Sequence, residues 1–145
     1  MRPMSNEIVF NEDTLRYISL FESITRTSVR DCMETEEKLV FVVEPGEANK
    51  AVGKKGENVI RLKDVTGKNI QVVEYSDDPQ QFVMNVFHIY NPQKVEIEKR
   101  GNITHATVTV DPKVKGRAIG KEGRNLRIAR DIVNRHHDIQ SISVS

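Results

Sequence analysis

Two short runs, Gly53-Lys54-Lys55-Gly56 and Gly120-Lys121-Glu122-Gly123, join glycine to lysine at a spacing suited to gripping an anion. Glycine lacks a Cβ, so a second backbone can lie against it, and it tolerates dihedrals closed to other residues. A loop of this kind that opens a helix adds unpaired N–H groups and the positive end of the helix dipole. Lys54, Lys55 and Lys121 add full charges, while Glu122 sets a like charge against any phosphate. The chemistry on offer is a clamp for a sugar–phosphate chain.

The residues flanking the loops extend this reading. Val52 and Val59 surround the first loop and Ile119 and Leu126 the second, each pair lining an aliphatic groove. Lys50 and Arg117 stand three residues before the first glycine of their loops, and Asn58 and Asn125 two residues after the last. Each asparagine can bond a base or backbone, or simply cap its helix. Arg124, Arg127 and Arg130 recur every third residue, roughly along one helical face, where they reach phosphates, stack on bases or merely solubilise the helix. Net charge is only +1, but residues 1–50 hold ten acids against six bases and residues 101–145 four acids against eight bases. That asymmetry fits either a local anion-binding surface or an ordinary solvated helix face.

Other chemistries fit poorly. A Walker A loop needs Gly-Lys followed by Ser or Thr, and the Gly-Lys of neither loop is. The three-glycine dinucleotide fingerprint is missing. The single cysteine, Cys32, forbids an internal disulfide, and His88, His105, His136 and His137 show no ligand spacing, so neither a metal nor a cofactor is expected. Asp77-Asp78 reads as a helix cap rather than a catalytic carboxylate pair, and no nucleophile–base constellation appears, so no catalytic residue is assigned. The longest apolar run, Leu39 to Val43, is too short to cross a bilayer, and the first ten residues hold no apolar stretch of signal-peptide length. A cytoplasmic location is expected.

The elements that must position the loops come from an internal repeat. Val43–Lys68 aligns without gaps on Val110–Arg135, with eight of 26 positions identical, among them Pro45/Pro112, Ala51/Ala118, both loop glycines and Asn58/Asn125. Around it, residues 12–24 place Leu15, Ile18, Phe21 and Ile24 three apart, an amphipathic helix capped by Asn11. Residues 27–33 and 38–43 read as strands. A short helix leads into Gly53, a longer one runs from Gly56 to near Gly67, and a strand follows. The second half repeats the order. Asp78 caps a helix with Pro79 in its first turn and Gln81 as capping-box partner, burying Phe82, Val83, Val86 and Phe87. Two strands turn at Arg100-Gly101-Asn102; a short helix, the second loop, a helix to about Arg135 and a last strand complete it. Both halves thus read helix–strand–strand–helix–helix–strand, an α+β layer of three strands under helices, with boundaries at 1–75 and 76–145.

Two αββααβ halves, each with an aliphatic-Gly-x-x-Gly loop between helices, resemble tandem KH domains of the prokaryotic type, type II. KH loops of this kind clamp about four nucleotides. The junction Tyr75–Phe87 and the segment Arg117–Ala129 resemble, more narrowly, the NusA family of transcription elongation and termination factors, in its short archaeal form of a KH pair alone. The resemblance implies single-stranded RNA, the nascent transcript, as ligand, with no membrane and no small-molecule cofactor, and leaves RNA polymerase open as a further partner. It places the RNA contacts at Lys50, Val52, Gly53, Lys54, Lys55, Gly56, Asn58 and Val59, and at Arg117, Ile119, Gly120, Lys121, Gly123, Arg124, Asn125, Leu126 and Arg127. Two alternatives stay open: a KH protein of ribosome assembly or ribosomal RNA, and a protein-interaction module with vestigial loops.

Overall fold

A computed structural model describes residues 11–145; the N-terminal stretch read for a leader lies outside the described residues. They divide into two compact units, one reaching Ser76 and the other starting at Asp77.

In the first unit, α1 (Glu12–Thr25) starts on Asn11, whose Oδ1 accepts the Thr14 N–H at 2.8 Å. Thr14, Phe21 and Thr25 are buried on its inner face, with Tyr17, Ile18 and Ile24 half-buried beside them. Leu15, expected on that face, lies 52% exposed. Thr14 takes the inward position instead because its Oγ1 is bonded back to Asn11. Strand β1 (Val29–Glu34) begins two residues later than expected. Arg26 turns left-handed, and the Thr25 and Thr27 hydroxyls bond each other at 2.7 Å, so the chain reverses through Thr27 before it can pair.

Strands β2 (Lys38–Val43) and β3 (Asn69–Glu74) complete a sheet of order β1-β2-β3, antiparallel then parallel. Parallel neighbours require a crossover. Here α2 (Ala48–Val52), a single 3-10 turn at Lys54–Gly56, and α3 (Glu57–Thr66) supply it. Central β2 buries every residue from Leu39 to Val43. Phe21 stacks on Phe41 with ring centroids 4.2 Å apart, and Cys32, Leu39, Val43, Ala51 and Leu62 close the core. Ala51 thereby anchors α2 and Leu62 anchors α3, and the glycine loop runs between two helices held by the same core.

The second unit follows the same plan. Helix α4 (Pro79–Val86) is capped by Asp78, whose Oδ1 accepts the Gln80 N–H at 3.1 Å. Gln81, expected to complete a capping box, donates from Nε2 to Asn85 Oδ1 at 2.9 Å, a one-turn partner along its own helix. Phe82, Val83, Val86 and Phe87 are buried, as the pattern requires. A 3-10 turn at His88–Tyr90 leads to β4 (Lys94–Arg100), β5 (Ile103–Thr109) and the capped helix α5 (Pro112–Ile119). Another 3-10 turn at Lys121–Gly123, α6 (Arg124–His136) and β6 (Ser141–Val144) finish the chain. The sheet order is β4-β5-β6, again antiparallel then parallel. Ala106, Val108, Ala118, Ile132 and Val133 are buried. On strands β5 and β6, His105 lies between Ser141 Oγ at 2.8 Å and Ser143 Oγ at 2.9 Å. Each unit is therefore αββααβ with a three-stranded sheet and helices, the type II KH arrangement.

Candidate nucleic-acid interface

The repeat seen in the sequence persists down to the dihedral angles. Gly53 has φ 82 and ψ 168, and Gly120 has φ 80 and ψ 168. Lys55 and Glu122 sit in the left-handed region at φ 55, ψ 27 and φ 56, ψ 27. Gly56 and Gly123 follow at φ 73, ψ 17 and φ 72, ψ 14. A positive φ with ψ near 180° is essentially glycine-only territory. The first glycine is also sterically obligatory. A β-carbon on Gly53 would stand 2.9 Å from Asn58 Nδ2, and one on Gly120 2.8 Å from the Asn125 backbone nitrogen.

The two asparagines explain that crowding. Asn58 Nδ2 donates to Lys50 O at 3.2 Å, and Asn125 Nδ2 donates to Ala118 O at 2.7 Å. Each amide ties the first turn of the later helix to the last turn of the earlier one, across the loop. Of the two readings open for these residues, the amide nitrogens are used for this local tie. Asn125 also reaches Tyr90 Oη at 3.3 Å, a contact 35 positions away that no local spacing signals. Burial raises the Tyr90 phenol pKa, which the nearby Arg117 charge and the Asn125 hydrogen bond partly offset.

The charged groups surround these scaffolds. Lys50, Lys54 and Lys55 are exposed in the first unit; Arg117, Lys121, Arg124 and Arg127 are exposed in the second. Val52, Val59, Ile119 and Leu126 are half-buried, so each loop is flanked by a partly exposed aliphatic pair. No side chain caps α3 or α6 at its N-terminus, which leaves the positive end of each helix dipole facing the loop. The second loop carries a brace that the first lacks. Arg127 Nη1 donates to the Glu122 backbone carbonyl at 2.6 Å, bracing the second loop from below. The aligned position in the first unit is Ile60, which is 58% exposed.

Among the described residues no group of three or more His, Cys, Asp or Glu converges to hold a metal ion. No described helix is long and apolar enough to cross a membrane.

Two αββααβ units, each presenting a left-handed Gly-x-x-Gly turn between helices, define a tandem KH protein. Residues 79–145 match the family model for the NusA-like second KH domain. The probable transcription termination protein NusA of Thermoplasma acidophilum is 36% identical over 139 residues, 96% of each chain. That of Methanococcus vannielii is 39% identical over 137 residues, 94% of this chain and 79% of the relative. The crystal structure of APE1850 is 33% identical with a TM-score of 0.75, covering 94% of this chain and all of that one. The chain belongs to the NusA family of transcription termination proteins, a non-enzymatic family, as the motifs at Tyr75–Phe87 and Arg117–Ala129 implied.

Proposed function

We propose that the chain binds single-stranded RNA through two KH domains, 1–75 and 76–145, each laying the sugar–phosphate chain over its Gly-x-x-Gly loop. The observation that carries this is the matched run of glycine-only and left-handed dihedrals in both loops. Such strain persists where the surrounding structure enforces it, and it clusters at functional sites. Phosphates approach the loops at Gly56 and Gly123, whose missing β-carbons leave room, and meet Lys54, Lys55 and Lys121. Bases turn toward the grooves of Val52 and Val59 and of Ile119 and Leu126. The exposed cations Lys50, Arg117, Arg124 and Arg127 follow the strand on either side. Asn58 and Asn125 act mainly by holding each loop open.

The ligand is the nascent transcript, and the process is termination, antitermination or elongation control in the cytoplasm, with RNA polymerase nearby. The names of the archaeal relatives support transcription over ribosome assembly. The test is fluorescence anisotropy with labelled single-stranded RNA and DNA of one sequence. We expect RNA to bind more tightly, and the logarithm of affinity to fall linearly with the logarithm of salt, by about 0.7 per phosphate contacted. Salt-independent binding would overturn the clamp.

A further inference from the structure

Along α4 and the turn after it lies a hollow of about 240 Å³ that the clamp does not use. Helix α4 gives it Gln81, Met84 and Asn85, three and four residues apart and so on one face. The turn that follows gives it His88, Asn91 and Pro92. This volume is below the range of drug-sized pockets, about 300–1,000 Å³, and suits a single planar ring system.

The lining is chemically specific. Met84 and Pro92 are half-buried and apolar, and the His88 ring is exposed beside them. The Gln81 amide is oriented by its bond to Asn85, which uses one Nε2 hydrogen and leaves Oε1 and the other N–H for a ligand. That adjacent acceptor and donor match the amino group and ring nitrogen of adenine. A histidine ring stacks on an unpaired base, and a methionine sulfur packs well against an aromatic one. Asn91 is held left-handed at φ 50, with its N–H on His88 O at 3.0 Å, which fixes the rim.

The hollow is also coupled to the second loop. Tyr90, in the same turn, accepts from the Asn125 Nδ2 that holds Ala118 O, two residues before Gly120. The turn that builds the rim and the loop that grips phosphate therefore share one amide.

We propose that this hollow is a subsite for one adenine base, stacked on His88 and read by the Gln81 amide. As a subsite on a strand it rests on the RNA-binding reading above. Its chemistry would equally take a free adenine nucleotide, and the test separates the two.

The experiment uses the full chain, with His88→Ala and Gln81→Met checked for folding by circular dichroism; both residues are exposed. Anisotropy is measured with oligoadenylate and oligouridylate of equal length. In parallel, adenosine 5′-monophosphate is titrated while the side-chain amide signals of Gln81 and Asn85 are followed by NMR. We expect each substitution to weaken oligoadenylate binding about five- to tenfold, to leave oligouridylate within about twofold, and to leave the salt slope unchanged. If RNA binds but both substitutions act equally on the two oligomers, or on neither, the subsite is overturned and the clamp stands. If wild type binds no RNA, the clamp reading falls. The mononucleotide arm then decides: shifts at Gln81 and Asn85 that His88→Ala abolishes would support an adenine pocket for free nucleotide, and unmoved signals would overturn it.

Discussion

A β-carbon on Gly120 would stand 2.8 Å from the backbone nitrogen of Asn125. The same atom on Gly53 meets the side chain of Asn58, at 2.9 Å. Backbone cannot swing aside as a side-chain end can. Both positions also carry the glycine-only dihedrals, and each such residue costs on the order of 1–3 kcal/mol when occupied by another type. Gly120→Ala should therefore destabilise by about 3 kcal/mol and Gly53→Ala by less. Gly56→Ala and Gly123→Ala, left-handed but with no contact closer than 3.5 Å, should cost about 1 kcal/mol. Urea denaturation of the four variants gives the order directly.

Asn125 spans more structure than Asn58. It donates to Ala118 O and Tyr90 Oη, whereas Asn58 donates to Lys50 O alone. A net hydrogen bond contributes about 0.5–1.5 kcal/mol. Asn125→Ala should cost about 2 kcal/mol and Asn58→Ala about 1 kcal/mol. Hydrogen exchange should show the second loop opening further than the first.

The second unit should lose stability in mild acid. His105 is only 5% exposed and its pKa is lowered from 6.5, chiefly by burial and further by Arg100, with Glu98 opposing. A histidine with a depressed folded pKa binds its proton more readily when unfolded. Its contribution is thus fully present above about pH 6.5 and is lost as pH falls from there through the folded value. Urea midpoints at pH 7.5 and 5.5 should fall more for wild type than for His105→Gln, which cannot titrate.

The two loops should differ in electrostatics. Glu122 occupies the place of Lys55 and carries the same dihedrals. Glu122→Lys therefore needs no backbone change. It should tighten RNA binding several-fold at low salt and steepen the salt dependence by about 0.7 for one added phosphate contact. An unchanged slope would mean that this position faces away from the strand.

Much of this architecture could be read from residue types. The 67-residue repeat anticipates loops whose dihedrals at Gly53 and Gly120, Lys55 and Glu122, and Gly56 and Gly123 agree within about three degrees, because glycine positions constrain backbone directly. Apolar periodicity placed Phe21, Phe82 and Val83 in the cores. It misplaced Leu15, since spacing alone cannot see that Thr14 is drawn inward by Asn11. Gln81 matches the capping-box pattern, yet its amide donates to Asn85 one turn further along the helix. The Arg127 brace was illegible because it depends on where a left-handed Glu122 points its carbonyl. Tyr90 was illegible because its partner is 35 positions away.

If both loops clamp phosphate, reversing the charges within them must cost RNA affinity. Lys54, Lys55 and Lys121 are exposed, so Lys54→Asp/Lys55→Asp, Lys121→Asp and the triple variant should fold as wild type does by circular dichroism. Measured by anisotropy with single-stranded RNA, the first should weaken binding more than the second, since it reverses two charges rather than one. The triple variant should abolish binding at physiological salt. Triple-variant binding equal to wild type, with the fold intact, would contradict the account and make the loops structural turns.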